Sequence, residues 1–158
     1  MVSSKLEDEN IRAAIRLLCS DDSPAPPSLE NLHKLQEKHP HAKIDEGCLP
    51  DSAQFSPLSV EEMDVRKAIL SFPAGSSGGP DGIRPQHLKD LVQCREGGSD
   101  FLSALTAFVN AVLAGRCPAD VAPKFFGGRL IALSKKTGGI RPIVVGFTLR
   151  RLVSKCAN

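Results

Sequence analysis

The fold of this chain is decided by the stretch 129–146, which reads RLIALSKKTGGIRPIVVG. Two runs rich in Leu, Ile and Val, at 129–135 and 143–145, flank the turn residues 137–139. Apolar and β-branched runs that are joined by a short glycine-containing turn are typical of a β-hairpin. Because the sequence holds no other such pair of runs, we predict one antiparallel hairpin over residues 129–146 in a mainly helical protein.

The strongest helical pattern covers residues 101–114, where apolar side chains recur at helical spacing and form a wide stripe. Ser99 or Asp100 is placed to cap the start of this helix, and Gly115 fits its C-terminal cap. A second helix is predicted over 85–93, because its first residue is a proline and proline is favoured in the first helical turn.

Four further helices complete the prediction, and one of them is a helical pattern over 148–155. Ser59 opens a capping-box pattern for a helix over 60–71. The side chains of this helix that are available to the core are Val60, Met63, Ile69 and Leu70. Amphipathic patterns predict a helix over 5–18 and another over 29–39, the latter capped by Ser28. The predicted fold class is therefore mainly α (α+β), with helices and one antiparallel β-hairpin.

Composition places the chain among soluble globular proteins. Of its 158 residues, 41% are hydrophobic and 24% are charged, which excludes the disordered class. No apolar run approaches the ~20 residues of a membrane helix, and acidic residues stand where a signal peptide would be basic. Five cysteines without a C-x-x-C pair favour reduced thiols. We therefore expect an intracellular protein, nuclear or cytoplasmic, with no membrane partner.

Charge is distributed unevenly along the chain. Residues 101–158 carry nine lysines and arginines against Asp120 alone, whereas residues 1–60 carry six against ten acidic side chains. A basic segment of this size indicates a polyanionic partner such as nucleic acid. The other interpretation is a solvated basic face that is paired with the acidic N-terminal half.

A glycine-rich loop at 72–85 reads FPAGSSGGPDGIRP. It matches neither the P-loop pattern G-x-x-x-x-G-K-[ST] nor the dinucleotide pattern G-x-G-x-x-G. On its own it indicates a connector between two helices, in which glycine permits unusual backbone angles. The histidines around Cys48 lack the spacing of a zinc site, and the cysteines lack the local signature of a nucleophile.

Two motifs in a fixed order resemble the reverse transcriptases of non-LTR retrotransposons. The first is SGGPDGI at 77–83, and the second is LIALSKK at 130–136 with IRPI at 140–143. In that family, an S-x-G-P-D-G-[IL] loop precedes helices, then a strand that ends in Lys, then a turn and R-P-I. One departure is Leu133-Ser134, which stands where P-L or P-K is common in the family.

The resemblance implies the fingers subdomain at the front of a right-hand polymerase. In the fingers, the hairpin lysine and the arginine of R-P-I contact the triphosphate of the incoming nucleotide and the template. By residue match, these nucleotide- and template-binding roles fall to Lys135, with Lys136 as the register alternative, and to Arg141. The residues of the motif loop are Gly78, Gly79, Pro80, Asp81 and Gly82.

The same resemblance divides the chain into two regions and implies that the metal-binding aspartates are missing. It covers the region 60–158, and the helical and proline-rich region 1–59 is unassigned. The family's polymerases hold two divalent ions with aspartates, two of which lie in an [FY]-x-D-D turn. This sequence has no tyrosine, no Phe-x-Asp-Asp and no carboxylate side chain after Asp120.

We therefore expect a fragment that is truncated before the catalytic palm and that does not polymerise alone. It has no catalytic residues and no cofactor of its own, whereas the full-length family enzyme would use Mg²⁺. Its expected partners are RNA or single-stranded DNA, bound weakly and without sequence preference, and the missing palm portion. We also expect the apolar stripe at 101–114 to be less buried than in a complete domain.

Two other functions stay open. The acidic N-terminal helices suit a helical module that binds a protein partner through residues 1–60, without regard to nucleic acid. The chain is also compatible with a non-functional remnant of a mobile element.

Overall fold

The computed structural model describes residues 2–7, 9–19, 23–39, 54–135 and 138–158. Within these ranges the chain forms helices and one two-stranded antiparallel sheet, which confirms the α+β class. The helices are α1 (Val2–Glu7), α2 (Ile11–Leu18), α3 (Leu29–Lys38), α4 (Glu62–Leu70), α5 (Pro85–Gln93), α6 (Gly98–Leu113), α7 (Ala122–Phe126) and α8 (Thr148–Cys156). The strands are β1 (Gly128–Ser134) and β2 (Ile140–Gly146), so the predicted hairpin is confirmed.

The chain divides into two compact units, each built from separated stretches of sequence. The helical unit comprises Met1–Ser20, Pro57–Arg129 and Val145–Asn158. The hairpin unit comprises Asp21–Ser56 and Leu130–Val144.

The core of the helical unit is formed by α4, α5, α6 and α8, which pack against one another. Val65, Ile69, Val109 and Leu152 are completely buried there. Removing a side chain of this size from water stabilises the fold by about 1.5–3 kcal/mol. The burial of Leu152 shows that α8, which follows the hairpin in sequence, is part of this core.

The core-facing side of α4 differs from the prediction. Ile69 is buried as expected, but Met63 is 58% exposed and Leu70 is 41% exposed, and Val65 and Ala68 point into the core instead. Val60, just before the helix, is half-buried and packs against the core as predicted. The prediction was wrong for Met63 and Leu70 because the apolar residues of this helix lie on more than one face, so that packing against α6 and α8 selects the face.

The stripe of α6 is buried along its centre. Leu102, Leu105 and Val109 are at most 7% exposed. The flanking side chains are only half-buried and pack at the margin of the core; they are Phe101, Phe108, Val112 and Leu113.

The ends of two helices also differ from the prediction. The N-cap of α4 is Glu61, not Ser59, and its N–H donates to the Asp64 carboxylate at 3.2 Å. The helix α6 begins at Gly98, before both predicted caps, because Gly97 takes a left-handed backbone with φ of 75°. Its other end is as predicted, since Gly115 has φ of 72° and donates to the Val112 carbonyl.

In the described part of the N-terminal region, residues 2–7, 9–19, 23–39 and 54–59, there are three helices rather than the two expected. The predicted helix over 5–18 is instead α1 and α2, which are separated at Glu9, a residue with φ of 55°. A left-handed residue of this kind interrupts a right-handed helix.

In the hairpin unit, the predicted cap of α3 is confirmed, because the Ser28 hydroxyl accepts from the Asn31 N–H at 3.1 Å.

Candidate nucleic-acid interface

The end of the hairpin carries two of the predicted site residues. Lys135 directly follows β1, and Arg141 is the second residue of β2. The Lys135 N–H donates to the Gly139 carbonyl, and the Gly138 N–H donates to the Lys135 carbonyl, both at 3.1 Å. Gly138 and Gly139 have φ of 84° and 81°, which explains why glycine occupies both positions. Lys136 lies outside the described residues.

The register of the hairpin determines that Lys135 and Arg141 lie on the same face. Because Lys135 is opposite Gly139, regular antiparallel pairing places Leu133 opposite Arg141. Side chains two residues apart on a strand share a face, so Lys135 and Arg141 are diagonal neighbours on one face. Both side chains are exposed. The hairpin end therefore presents two positive charges on the same side.

The other edge of β1 is covered by a proline-rich segment between α2 and α3. The Ser134 N–H donates to the Ser23 carbonyl, and the Ala25 N–H donates to the Ala132 carbonyl, both at 2.9 Å. These bonds flank a bridge between Pro24 and Leu133. Proline fits there, because it lacks a backbone donor and is tolerated in an edge position.

Internal hydrogen bonds fold the motif loop into a tight turn in the helical unit. The Gly82 N–H donates to the Gly79 carbonyl at 3.0 Å, and the Ile83 N–H donates to the Asp81 carboxylate at 3.1 Å. The second bond is an Asx turn, which explains the aspartate. Gly82 has φ of 76°, a conformation that favours glycine.

The same loop is fastened to the chain that follows β2. A Cβ atom on Gly79 would lie 2.7 Å from the Cα atom of Phe147, so only glycine permits this approach of two backbones. The Thr148 hydroxyl donates to the Ile83 carbonyl, and Thr148 is fully buried. An Arg151 Nη1 donates to the Ser77 carbonyl at 2.7 Å. In this structure the motif loop is a connector that packs on the start of α8.

Three cations contact Phe72, a residue that is only 4% exposed: two contact its ring and one contacts its backbone carbonyl. The Arg151 guanidinium carbon lies 5.4 Å from the ring centroid, and the Lys155 Nζ lies 5.0 Å from it. The Lys89 Nζ donates to the Phe72 carbonyl at 2.7 Å. Sequence reasoning had no signal for Lys89 and Lys155, because they are distant from each other and from the ring in sequence. Cation–π contacts stabilise such an arrangement by about 0.5–1 kcal/mol each at exposed sites.

Two titratable groups of the described residues have shifted pKa values. Burial raises the pKa of the Cys156 thiol, and the negative charge of Asp64 raises it further, so this thiol stays protonated and is a poor nucleophile. In the hairpin unit, the hydrogen bond and the positive charge of Lys34 lower the pKa of Glu30. The described part of the chain brings no three His, Cys, Asp or Glu side chains together as a metal site.

Comparison with known proteins identifies no relative. No family model, no curated protein and no solved structure matches this chain. In the ranges that the structure describes, no helix has the length and apolar character needed to cross a membrane.

Proposed function

We propose that this chain binds the phosphates of RNA or single-stranded DNA through the hairpin end, as the resemblance to the fingers of a non-LTR retrotransposon reverse transcriptase implies. The observation that carries the proposal is the pair of exposed cations, Lys135 and Arg141, on one face of the hairpin. Lys136 adds a third charge in the sequence between them.

The chemistry of these side chains suits a phosphate backbone. Arginine offers a rigid fork of donors that engages two phosphate oxygens, and lysine supplies a compact positive charge. The paired strands fix the spacing of the Cα atoms that carry Lys135 and Arg141, which reduces the ordering of the backbone needed for binding. Contacts to phosphates carry no sequence information, and we therefore expect binding without sequence preference.

The salt dependence of binding tests the proposal. Each phosphate contact to a single strand contributes about −0.7 to the slope of log K against log salt, so about three or four contacts give roughly −2 to −3. Replacing Lys135, Lys136 and Arg141 together by alanine is expected to flatten that slope by about 2. Fluorescence anisotropy with a labelled oligonucleotide over a salt series measures it.

The matched control removes the same number of charges elsewhere. Alanine at Lys34, Lys38 and Lys43 is expected to leave the slope unchanged, in part because Lys34 is already paired with Glu30. Equal losses from the two triple variants would mean that the whole chain attracts the oligonucleotide diffusely, and the role of the hairpin would be withdrawn.

A second expected result concerns catalysis by these 158 residues. We expect no primer extension with Mg²⁺ or Mn²⁺, because Lys135 and Arg141 can orient a triphosphate but cannot hold the metal ions that activate the attacking hydroxyl. A primer-extension assay on a preparation free of contaminating polymerase measures this. Template-dependent incorporation above a no-enzyme control would contradict the prediction.

One observation favours a second candidate function, the helical interaction module. Along α2, Ile11, Ile15 and Leu18 are 62%, 54% and 69% exposed, and their spacing places them on one face of the helix. Such a face suits an apolar partner helix. This function predicts that binding of the protein partner maps to residues 1–60 and is insensitive to nucleic acid.

A further inference from the structure

Three aromatic rings contact one another in sequence from the edge of the core to the surface, and two of them belong to α7. The Phe108 ring contacts the Phe125 ring edge to face, with centroids 5.9 Å apart. Phe125 contacts Phe126 in the same way, at 5.1 Å and an interplanar angle of 82°. Phe108 and Phe125 are half-buried, whereas Phe126 is 48% exposed. Two packed rings therefore hold a third ring at the surface.

The residues after Phe126 leave this ring uncovered. Gly127 and Gly128 carry no side chains, and a Cβ atom on Gly127 would lie 2.8 Å from the Pro123 carbonyl oxygen. Glycine at 127 thus lets the chain turn closely against the end of α7 before β1 begins.

Positive charges flank the exposed ring in sequence. Lys124 and Arg129 are both exposed, and neither forms an ion pair with a carboxylate in the described part of the chain. Asp120 is the only acidic residue from 101 onward. The surroundings of Phe126 therefore suit an anionic partner better than a purely apolar one.

We propose that Phe126 is a base-stacking residue for single-stranded nucleic acid, with Lys124 and Arg129 contacting the adjacent phosphates. Proteins that bind single strands combine cationic side chains with aromatic rings on which bases stack. In a duplex the bases stack on one another, so an isolated exposed ring selects unpaired strands. This inference rests on the proposed function, because it assigns a base contact to the same class of ligand.

The test compares strands that differ only in their bases. The probes are a labelled oligothymidine and an abasic strand of equal length and charge. Phe126→Ala is expected to weaken binding to oligothymidine about tenfold, the effect of losing one stacked base. Binding to the abasic strand and the salt slope are expected to stay unchanged, because the phosphate contacts remain.

Two further variants keep the test decisive. Phe126→Leu keeps an apolar side chain against Phe125 but removes the aromatic face, and it is expected to show the same loss if Phe126→Ala folds poorly. Phe55→Ala removes a ring that is 61% exposed in the hairpin unit. It is expected to leave the affinity for oligothymidine and the affinity for the abasic strand unchanged.

The outcomes separate this inference from the proposed function. Base stacking by Phe126 is overturned if both Phe126 variants bind oligothymidine as tightly as the unmodified chain. It is also overturned if they lose the same affinity for oligothymidine as for the abasic strand. In both cases the hairpin proposal stands. If the unmodified chain binds neither strand, the proposed function is overturned and this inference with it.

Discussion

Replacing Leu152 by alanine is expected to lower the free energy of unfolding by about 3 kcal/mol. Leu152 is completely buried in α8, among the side chains of the helical core, and the truncated side chain leaves a cavity there. Domains of this size are stable by only about 5–15 kcal/mol, so the loss is a large share of the total. Urea unfolding followed by far-ultraviolet circular dichroism measures it.

Leu91→Ala is the matched control, because it removes the same atoms from a helix surface. Leu91 is 47% exposed on α5, and the expected change in the free energy of unfolding is within about 0.5 kcal/mol. If Leu152→Ala costs no more than Leu91→Ala, then α8 does not contribute to the core.

Gly79→Ala is the substitution with the second large effect. The added Cβ atom would lie 2.7 Å from the Cα atom of Phe147 and 3.2 Å from the Gly146 carbonyl oxygen. Both neighbours are backbone atoms, which cannot rotate away as a flexible side chain does. We expect a loss of about 1–3 kcal/mol in the free energy of unfolding, the usual cost of overpacking.

Gly82 provides a comparison within the same loop. No atom lies within 4 Å of a Cβ built there, and its φ of 76° is the only obstacle to a side chain. Asparagine tolerates this conformation better than alanine does, so Gly82→Asn is expected to cost less than about 1 kcal/mol. Thermal unfolding measures the stability of both variants. If Gly79→Ala is no less stable than Gly82→Asn, the loop does not approach Phe147 closely.

Each of three residues of the motif loop has a structural reason for its identity. Gly79 is required by a neighbouring backbone, Gly82 by its own backbone angle and Asp81 by an Asx turn. Each requirement is met by contacts within the helical unit. The sequence pattern therefore reflects how the loop packs against Phe147 and Thr148.

The candidate site was predictable only in part. The placement of Lys135 and Arg141 at the hairpin end follows from two apolar runs and a glycine turn, which are local features of the sequence. The cations at Phe72 were not predictable, since Lys89 reaches its backbone carbonyl and Lys155 reaches its ring from two different helices. The exposure of Phe126 likewise depends on which neighbouring rings pack behind it.

By itself the sequence determined the hairpin, the helix that begins at Pro85 and the end of α6 at Gly115, because periodicity, proline and glycine act over a few neighbouring residues. Only the tertiary structure decided that Val65 and not Met63 faces the core. It also decided that the segment around Pro24 pairs with β1. Both outcomes depend on contacts between residues far apart in the chain, which local propensity does not encode.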